Sequence, residues 1–185
     1  MVIQADNPDG DSLSSALALE EILAQKDKRV HLYCGVSLPQ HLRHIAGWDR
    51  VVGDLPTDFE LAVIVDTSSD SLLERLGKNG QKAWLKTRPL IIIDHHPTAP
   101  TVDFATITLN TEAAATAEVL YELASQLDWA LTPDARRLLA TGILADSQGL
   151  TSATVTARTI HIIAELVESG VRLAAIEAAR RETLR

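Results

Sequence analysis

Leu61-Ala62-Val63-Ile64-Val65-Asp66 and, further along, Leu90-Ile91-Ile92-Ile93-Asp94 decide the fold of this chain. Both runs are apolar at nearly every position rather than at alternate ones. Both faces of each must therefore be buried, as in a central strand of a parallel sheet. Working outward, residues 2–5, 30–34 and 50–52 read as further strands, and residues 61–66 and 90–94 complete a set of five.

Helical spacing fills the intervals. Leu13, Ala16, Leu17, Glu20 and Leu23 recur on one face behind Asp11 and Ser12, both suited to capping a helix. Residues 111–127 form a long Ala/Leu-rich pattern. Thr132-Pro133-Asp134 reads as an N-cap with proline in the first turn, opening a helix to about residue 145. A last pair of helices covers residues 156–168 and runs on from 171, broken at Gly170. The alternation predicts an α/β fold: a doubly wound, mainly parallel five-stranded sheet flanked by helices, with a C-terminal helical segment.

Composition agrees. The 185 residues are 46% hydrophobic, enough for one well-packed domain. Only 4% are aromatic, so Leu, Ile, Val and Ala must build the core. The formal net charge of −8 removes the bulk attraction for polyanions that binders of long nucleic acids show. An anionic substrate would need local neutralisation, which bound dications can supply. The single cysteine, Cys34, allows no internal disulfide and fits a reducing, cytoplasmic setting, with a buried apolar role as its plain reading. Asp6, Asp9 and Asp11 stand where a secretory signal would need basic and apolar residues, and no apolar run approaches the roughly 20 residues of a membrane span.

Ligands of an open parallel sheet bind beyond the carboxyl ends of its strands. After the first strand comes Asn7-Pro8-Asp9-Gly10-Asp11, after the fourth Asp66, and after the fifth Asp94-His95-His96. Behind the helix that opens at Pro133 comes Asp146. Each of these alone has a plain reading, as a turn or a helix cap. Together they make a set of carboxylates and imidazoles at element ends. Carboxylates that cluster without a cation repel one another and are driven to protonate. Such a donor set suits Mn²⁺, Mg²⁺ or Co²⁺ better than structural zinc, and two such ions about 3.5–4 Å apart can clamp a phosphoryl group.

These motifs resemble the DHH phosphoesterase superfamily. The Asn-Pro-Asp-x-Asp loop is matched by residues 7–11, followed by Ser12-Leu13-Ser14-Ser15. The isolated strand-end Asp is matched by Asp66, the name-giving triplet by Asp94-His95-His96, and the Gly-x-x-x-Asp stretch by Gly142 to Asp146. What the resemblance implies is a dinuclear Mn²⁺ site. Asp66 would bridge both ions and act in catalysis, Asp9 would bind the first, and Asp11, His95 and Asp146 the second. His96 would contact the scissile phosphate, and Asp94 would hold an imidazole from behind. Arg158 joins His96 as a candidate substrate contact, although for Arg136, Arg137 and Arg158 an exposed solvated face is the plainer reading, as it is for His31, His41, His44 and His161.

The chain departs from the family pattern in two places. The family's first motif begins with a metal-binding histidine four residues before its first Asp, and that position is Ala5 here. Gln4 and Asp6 would point to the opposite face of a strand. One firmly bound ion and a second weak one are therefore expected. The family's C-terminal DHH-associated domain, with its Gly-rich, His-containing segment, has no counterpart before Arg185. The expectation is a single DHH catalytic domain over residues 1–185, with a helical tail from about 156 to 185, either cut from a longer protein or working without that second domain.

The implied activity is hydrolysis of short oligonucleotides, nucleotide phosphates (3′-phosphoadenosine 5′-phosphate among them) or cyclic dinucleotides by metal-activated water, most like the oligoribonuclease branch of the family. A catalytically impaired nucleotide-binding or sensing module is one alternative; an inorganic pyrophosphatase or exopolyphosphatase-like enzyme is another. The implied partners are a small phosphorylated substrate or short oligonucleotide, with a homodimer left open; no membrane and no long nucleic acid is expected.

Overall fold

Residues 1–78 and 80–183 are described by the computed structural model. Its strands are β1 (Val2–Ile3), β2 (Leu32–Tyr33), β3 (Val51–Val52), β4 (Ala62–Val65), β5 (Leu90–Asp94) and β6 (Ile107–Asn110). Its helices are α1 (Gly10–Ala24), α2 (Glu74–Lys78), α3 (Gln81–Leu85), α4 (Thr116–Gln126), α5 (Pro133–Asp146), α6 (Ala157–Glu168) and α7 (Leu173–Glu182). The strands form one sheet in the order β3-β2-β1-β4-β5-β6, and every neighbouring pair is parallel.

The pleat explains why the strand runs carry no polar alternation. Val2, Leu32, Val63, Val65 and Ile93 face a core shared with α1, α4, α5 and α6. Ile3, Tyr33, Ile64, Leu90 and Ile92 face a second core with Leu76 of α2 and Leu85 of α3. Both sheet faces are covered, so both sides of β4 and β5 must be apolar. The strand order reverses between β1 and β4, so the crevice beyond their carboxyl ends is the ligand position of such a sheet. The Asp9–Asp11 loop and Asp66 open into it.

Three expectations are corrected. The sheet has six strands among the described residues, not five. β6 is an edge strand whose Ile107 is 56% exposed, so its sequence, Ile-Thr-Leu-Asn, lacks the continuous apolarity of a covered strand. The helix expected over residues 111–127 begins only at Thr116, with Ala115 as its cap in extended conformation. And Asp9, not Asp11 or Ser12, caps α1: its side chain accepts from the Ser12 N–H and the Ser12 hydroxyl accepts from the Asp9 N–H, both at 2.9 Å. The short helices α2 and α3, five residues each, were not legible either. The last helices stand as expected, with α6 capped by Thr156 and Gly170 at φ 103° ending it. Leu184 and Arg185, the end of the expected helical tail, lie outside the described residues.

Candidate metal centre

Asp66 leaves β4 with φ 62°, a left-handed conformation that aspartate tolerates better than most residues. Its N–H donates to the Ile93 carbonyl at 2.9 Å, so the turn is pinned to β5. The side chain is buried, and its Oδ1 accepts from the Thr116 hydroxyl at 2.9 Å.

Asp11 sits in the first turn of α1 and is 1% exposed. Its Oδ2 accepts the Thr116 N–H at 2.6 Å; its Oδ1 accepts the Ala117 N–H and the Ser15 hydroxyl, each at 3.1 Å. A carboxylate thus faces the positive end of α4. The approach is tight: a Cβ on Gly142 would fall 2.6 Å from Asp11 Oδ1, and one on Gly10 would fall 2.6 Å from the Ala145 Cβ. This close packing of α1 on α5 brings Asp146, in the last turn of α5, to the loop that carries Asp9.

From the end of β5 the chain delivers the triplet. Asp94 Oδ1 accepts from the His95 and His96 N–H groups at 2.9 and 3.2 Å and from His96 Nδ1 at 2.7 Å. The imidazole that Asp94 holds is therefore that of His96, the ring expected to meet phosphate. His95 Nδ1 lies 3.1 Å from the Ala113 carbonyl. A carbonyl only accepts, so Nδ1 carries a proton there, and a neutral ring keeps its lone pair on Nε2. That Nε2 is buried without a hydrogen-bond partner, 3.5 Å from Asp66 Oδ1 and 3.6 Å from Asp146 Oδ2. Ligand atoms of Asp66, His95 and His96 all lie within 4.8 Å of one another.

A profile described as "DHH family, N-terminal domain" matches residues 1–143. The chain belongs to the DHH family. This DHH-family chain is 29% identical over 170 residues to the uncharacterised protein MG371 of Mycoplasma genitalium, a match covering 89% of the chain and 49% of the relative. It is 29% identical over 171 residues to the bifunctional oligoribonuclease and PAP phosphatase NrnA of Thermus thermophilus, covering 91% and 49%. The chain spans about half the length of the curated relatives it matches. An exopolyphosphatase-related protein from Bacteroides fragilis superposes with a TM-score of 0.85 at 20% identity, covering 97% of the chain and 55% of that structure; this likeness concerns the fold.

The electrostatics of this cluster in the DHH-family chain favour a cation or protons among its carboxylates. Burial pushes the Asp11 carboxyl up to about 6, the Asp9 charge adds to it, and His95 with the α4 amides pulls the other way. Burial, then the charges of Asp11 and Asp9, push Asp66 well above the usual carboxylate range. Burial raises Asp146 as well, with His95 opposing and Asp9 reinforcing. Burial would also raise Asp94, but its hydrogen bonds from His96 outweigh that and hold it low. The same bond, assisted by the charges of Asp94, Asp146 and Asp9, raises His96 despite partial burial. Two carboxylates around an unpartnered imidazole nitrogen suit a divalent ion by donor chemistry, because a cation there relieves the repulsion and takes the orphaned lone pair.

Other sequence-marked residues go elsewhere. Arg158 is ion-paired with Glu122 and Glu165 on α4 and α6. Asp6 accepts the Arg75 N–H at 2.9 Å, and Gln4 is fully buried with both side-chain polar atoms unpartnered. Asp9 is exposed. A cavity of about 430 Å³ lined by Met1, Val30, Asp58 and Phe59 lies at the amino ends of the strands, away from the cluster. Sequence reasoning missed Ala113 and Thr116, whose contacts with His95, Asp11 and Asp66 are long-range and carry no motif of their own, and Glu118, which holds the neighbouring Ala114 N–H. Among the described residues, no helix is long and apolar enough to cross a membrane.

Proposed function

We propose that this chain is the metal-binding part of a phosphoesterase that hydrolyses short oligonucleotides or nucleotide phosphates such as 3′-phosphoadenosine 5′-phosphate. The observation that carries the reading is the His95 Nε2 lone pair, buried and unpartnered between the Asp66 and Asp146 carboxylates. The name of the Thermus relative supports the substrate class.

Asp66, His95 and Asp146 would hold one divalent ion firmly, with Mn²⁺ first by donor type and Mg²⁺ or Co²⁺ as substitutes. Asp11, also expected as a ligand of this ion, is buried beside it with both oxygens accepting hydrogen bonds from the start of α4 and from Ser15, and the exposed Asp9 would border the site. A second ion would be weak: the register Val2↔Val63 and Ile3↔Ile64, carried on, sets Ala5 abreast of Asp66, and a methyl group donates nothing. When bound, the ion supplies Lewis acidity toward a phosphoryl oxygen and toward water. The chain's own part is to orient and neutralise. His96, with its side chain 48% exposed and Nδ1 held by Asp94, offers a proton donor to a phosphoryl oxygen.

The test is Mn²⁺-dependent release of mononucleotide from a dinucleotide, and of phosphate from 3′-phosphoadenosine 5′-phosphate and from pyrophosphate. Asp66→Asn serves as control. Turnover of the first two that is lost in Asp66→Asn supports the reading. Turnover of pyrophosphate alone redirects it to a pyrophosphatase, and activity that survives Asp66→Asn contradicts it.

A further inference from the structure

We propose that Thr116 and Glu118, in the first turn of α4, are positioning residues for the metal cluster: Thr116 fixes the carboxylate of Asp66, and Glu118 fixes the loop whose carbonyl sets the tautomer of His95. The proposal rests on the reading of Asp66 and His95 as ligands.

The two residues are buried polar groups with work to account for. Thr116 is 0% exposed and Glu118 4% exposed. A threonine that only opened a helix would cap it with its hydroxyl and stay near solvent. Here the hydroxyl points out of the helix and donates to Asp66 Oδ1 at 2.9 Å, while the N–H of the same residue donates to Asp11 Oδ2 at 2.6 Å. One residue therefore ties together acidic groups from α1 and from the end of β4. With one Asp66 oxygen turned toward Thr116, the carboxylate plane is set before any ion arrives.

Glu118 acts on the other ligand. Its Oε2 accepts the Ala114 N–H at 3.1 Å and the Thr159 hydroxyl at 2.9 Å. That bond holds residues 113–115 out of the helix which their alanines would otherwise favour. It leaves the Ala113 carbonyl, 3.1 Å from His95 Nδ1, free of an intrahelical partner. Since that carbonyl can only accept, it keeps the proton on Nδ1 and presents Nε2 to Asp66 and Asp146. Partners behind a ligand that fix its orientation usually change metal affinity by about 10- to 100-fold when removed.

Mn²⁺ affinity, measured by the loss of the free-ion EPR signal on titration, tests this apart from turnover. Thr116→Val, which keeps volume and drops the hydroxyl, is expected to weaken Mn²⁺ about 10- to 100-fold, and Thr116→Ser to restore it to within about 3-fold. Glu118→Gln, which keeps an acceptor oxygen, is expected to stay closer to the parent chain than Glu118→Ala. An affinity in Thr116→Val equal to that of the parent chain overturns the proposal and leaves the metal site intact. A parent chain that binds no Mn²⁺ overturns both. Because Thr116→Val or Glu118→Ala could fail to fold, the imidazole signals of the unaltered, Mg²⁺-loaded chain give a second measurement. A hydrogen-bonded Nδ1–H on His95 with Nε2 unprotonated is expected; the Nε2–H tautomer overturns the proposal.

Discussion

His95 Nε2 faces Asp66 Oδ1 across 3.5 Å, while the ring's other nitrogen, Nδ1, is committed to the Ala113 carbonyl. Two acceptors buried at that separation repel unless a cation or a proton is shared. In the metal-free chain burial and the charges of Asp11 and Asp9 favour a proton on Asp66, and an ion would take that proton's place.

This competition between proton and ion has a pH signature. The Asp11 carboxyl is raised to about 6 in the fold, above its usual value. Its contribution to stability is therefore fully present below pH about 4 and is lost as pH rises through 6. The metal-free chain should melt lower at pH 7.5 than at pH 5, with Asp11 alone contributing on the order of 1 kcal/mol to the difference. Mn²⁺ at one hundred times its Kd should add about 2.7 kcal/mol, a rise in Tm of roughly 5–10 °C. The rise should be larger at pH 7.5 than at pH 5, where protons compete with the ion. Thermal melts with Mn²⁺ and with chelator at the two pH values check this.

Asp66→Asn should have opposite effects with and without the ion. The amide keeps an oxygen for the Thr116 hydroxyl and removes one of the repelling charges. Without metal the variant should melt above the parent chain by about 1 kcal/mol at pH 7.5. The Mn²⁺-induced rise in Tm should vanish with it.

Asp94→Asn addresses the second histidine. The bond to Asp94 keeps the His96 ring protonated to higher pH than usual. If His96 donates to phosphate, kcat/KM must fall on the alkaline side as the ring loses its proton. Weakening the bond in Asp94→Asn should move that alkaline limb to lower pH and leave KM for the metal nearly unchanged. A pH–rate profile of both chains reads the shift.

Gly142→Ala tests the packing that brings Asp146 and Asp11 together. An added methyl would stand 2.6 Å from Asp11 Oδ1 and 2.7 Å from the Ala117 Cβ. Overpacking of this kind costs about 1–3 kcal/mol, which outweighs the gain of about 1 kcal/mol from replacing a helical glycine. The expected outcome is a lower Tm together with weaker Mn²⁺ binding, read by melts and by titration.

Much of this was legible in the sequence for a physical reason. β4 and β5 are covered on both faces, so their continuous apolarity announces a central parallel strand, and the residues just past the carboxyl end of such a strand lie in the ligand crevice. Asp66 and the Asp94–His96 triplet were singled out that way, and the fold brings ligand atoms of Asp66, His95 and His96 within 4.8 Å of one another. β6 was not, because an edge strand with Ile107 exposed writes no such pattern. Nor was the start of α4. Ala113, Ala114 and Ala115 favour helix locally, but Glu118 takes the Ala114 N–H and His95, 18 residues from Ala113, meets the Ala113 carbonyl, a partner that no local propensity records. The left-handed turn at Asp66 was hidden for the same reason.

Anomalous diffraction at the manganese edge, from crystals of the chain grown with Mn²⁺, tests most directly whether these side chains share an ion. The prediction is a strong peak within bonding distance of Asp66, His95 Nε2 and Asp146 together. A map with no peak among those three, or with manganese bound elsewhere on the surface alone, contradicts it.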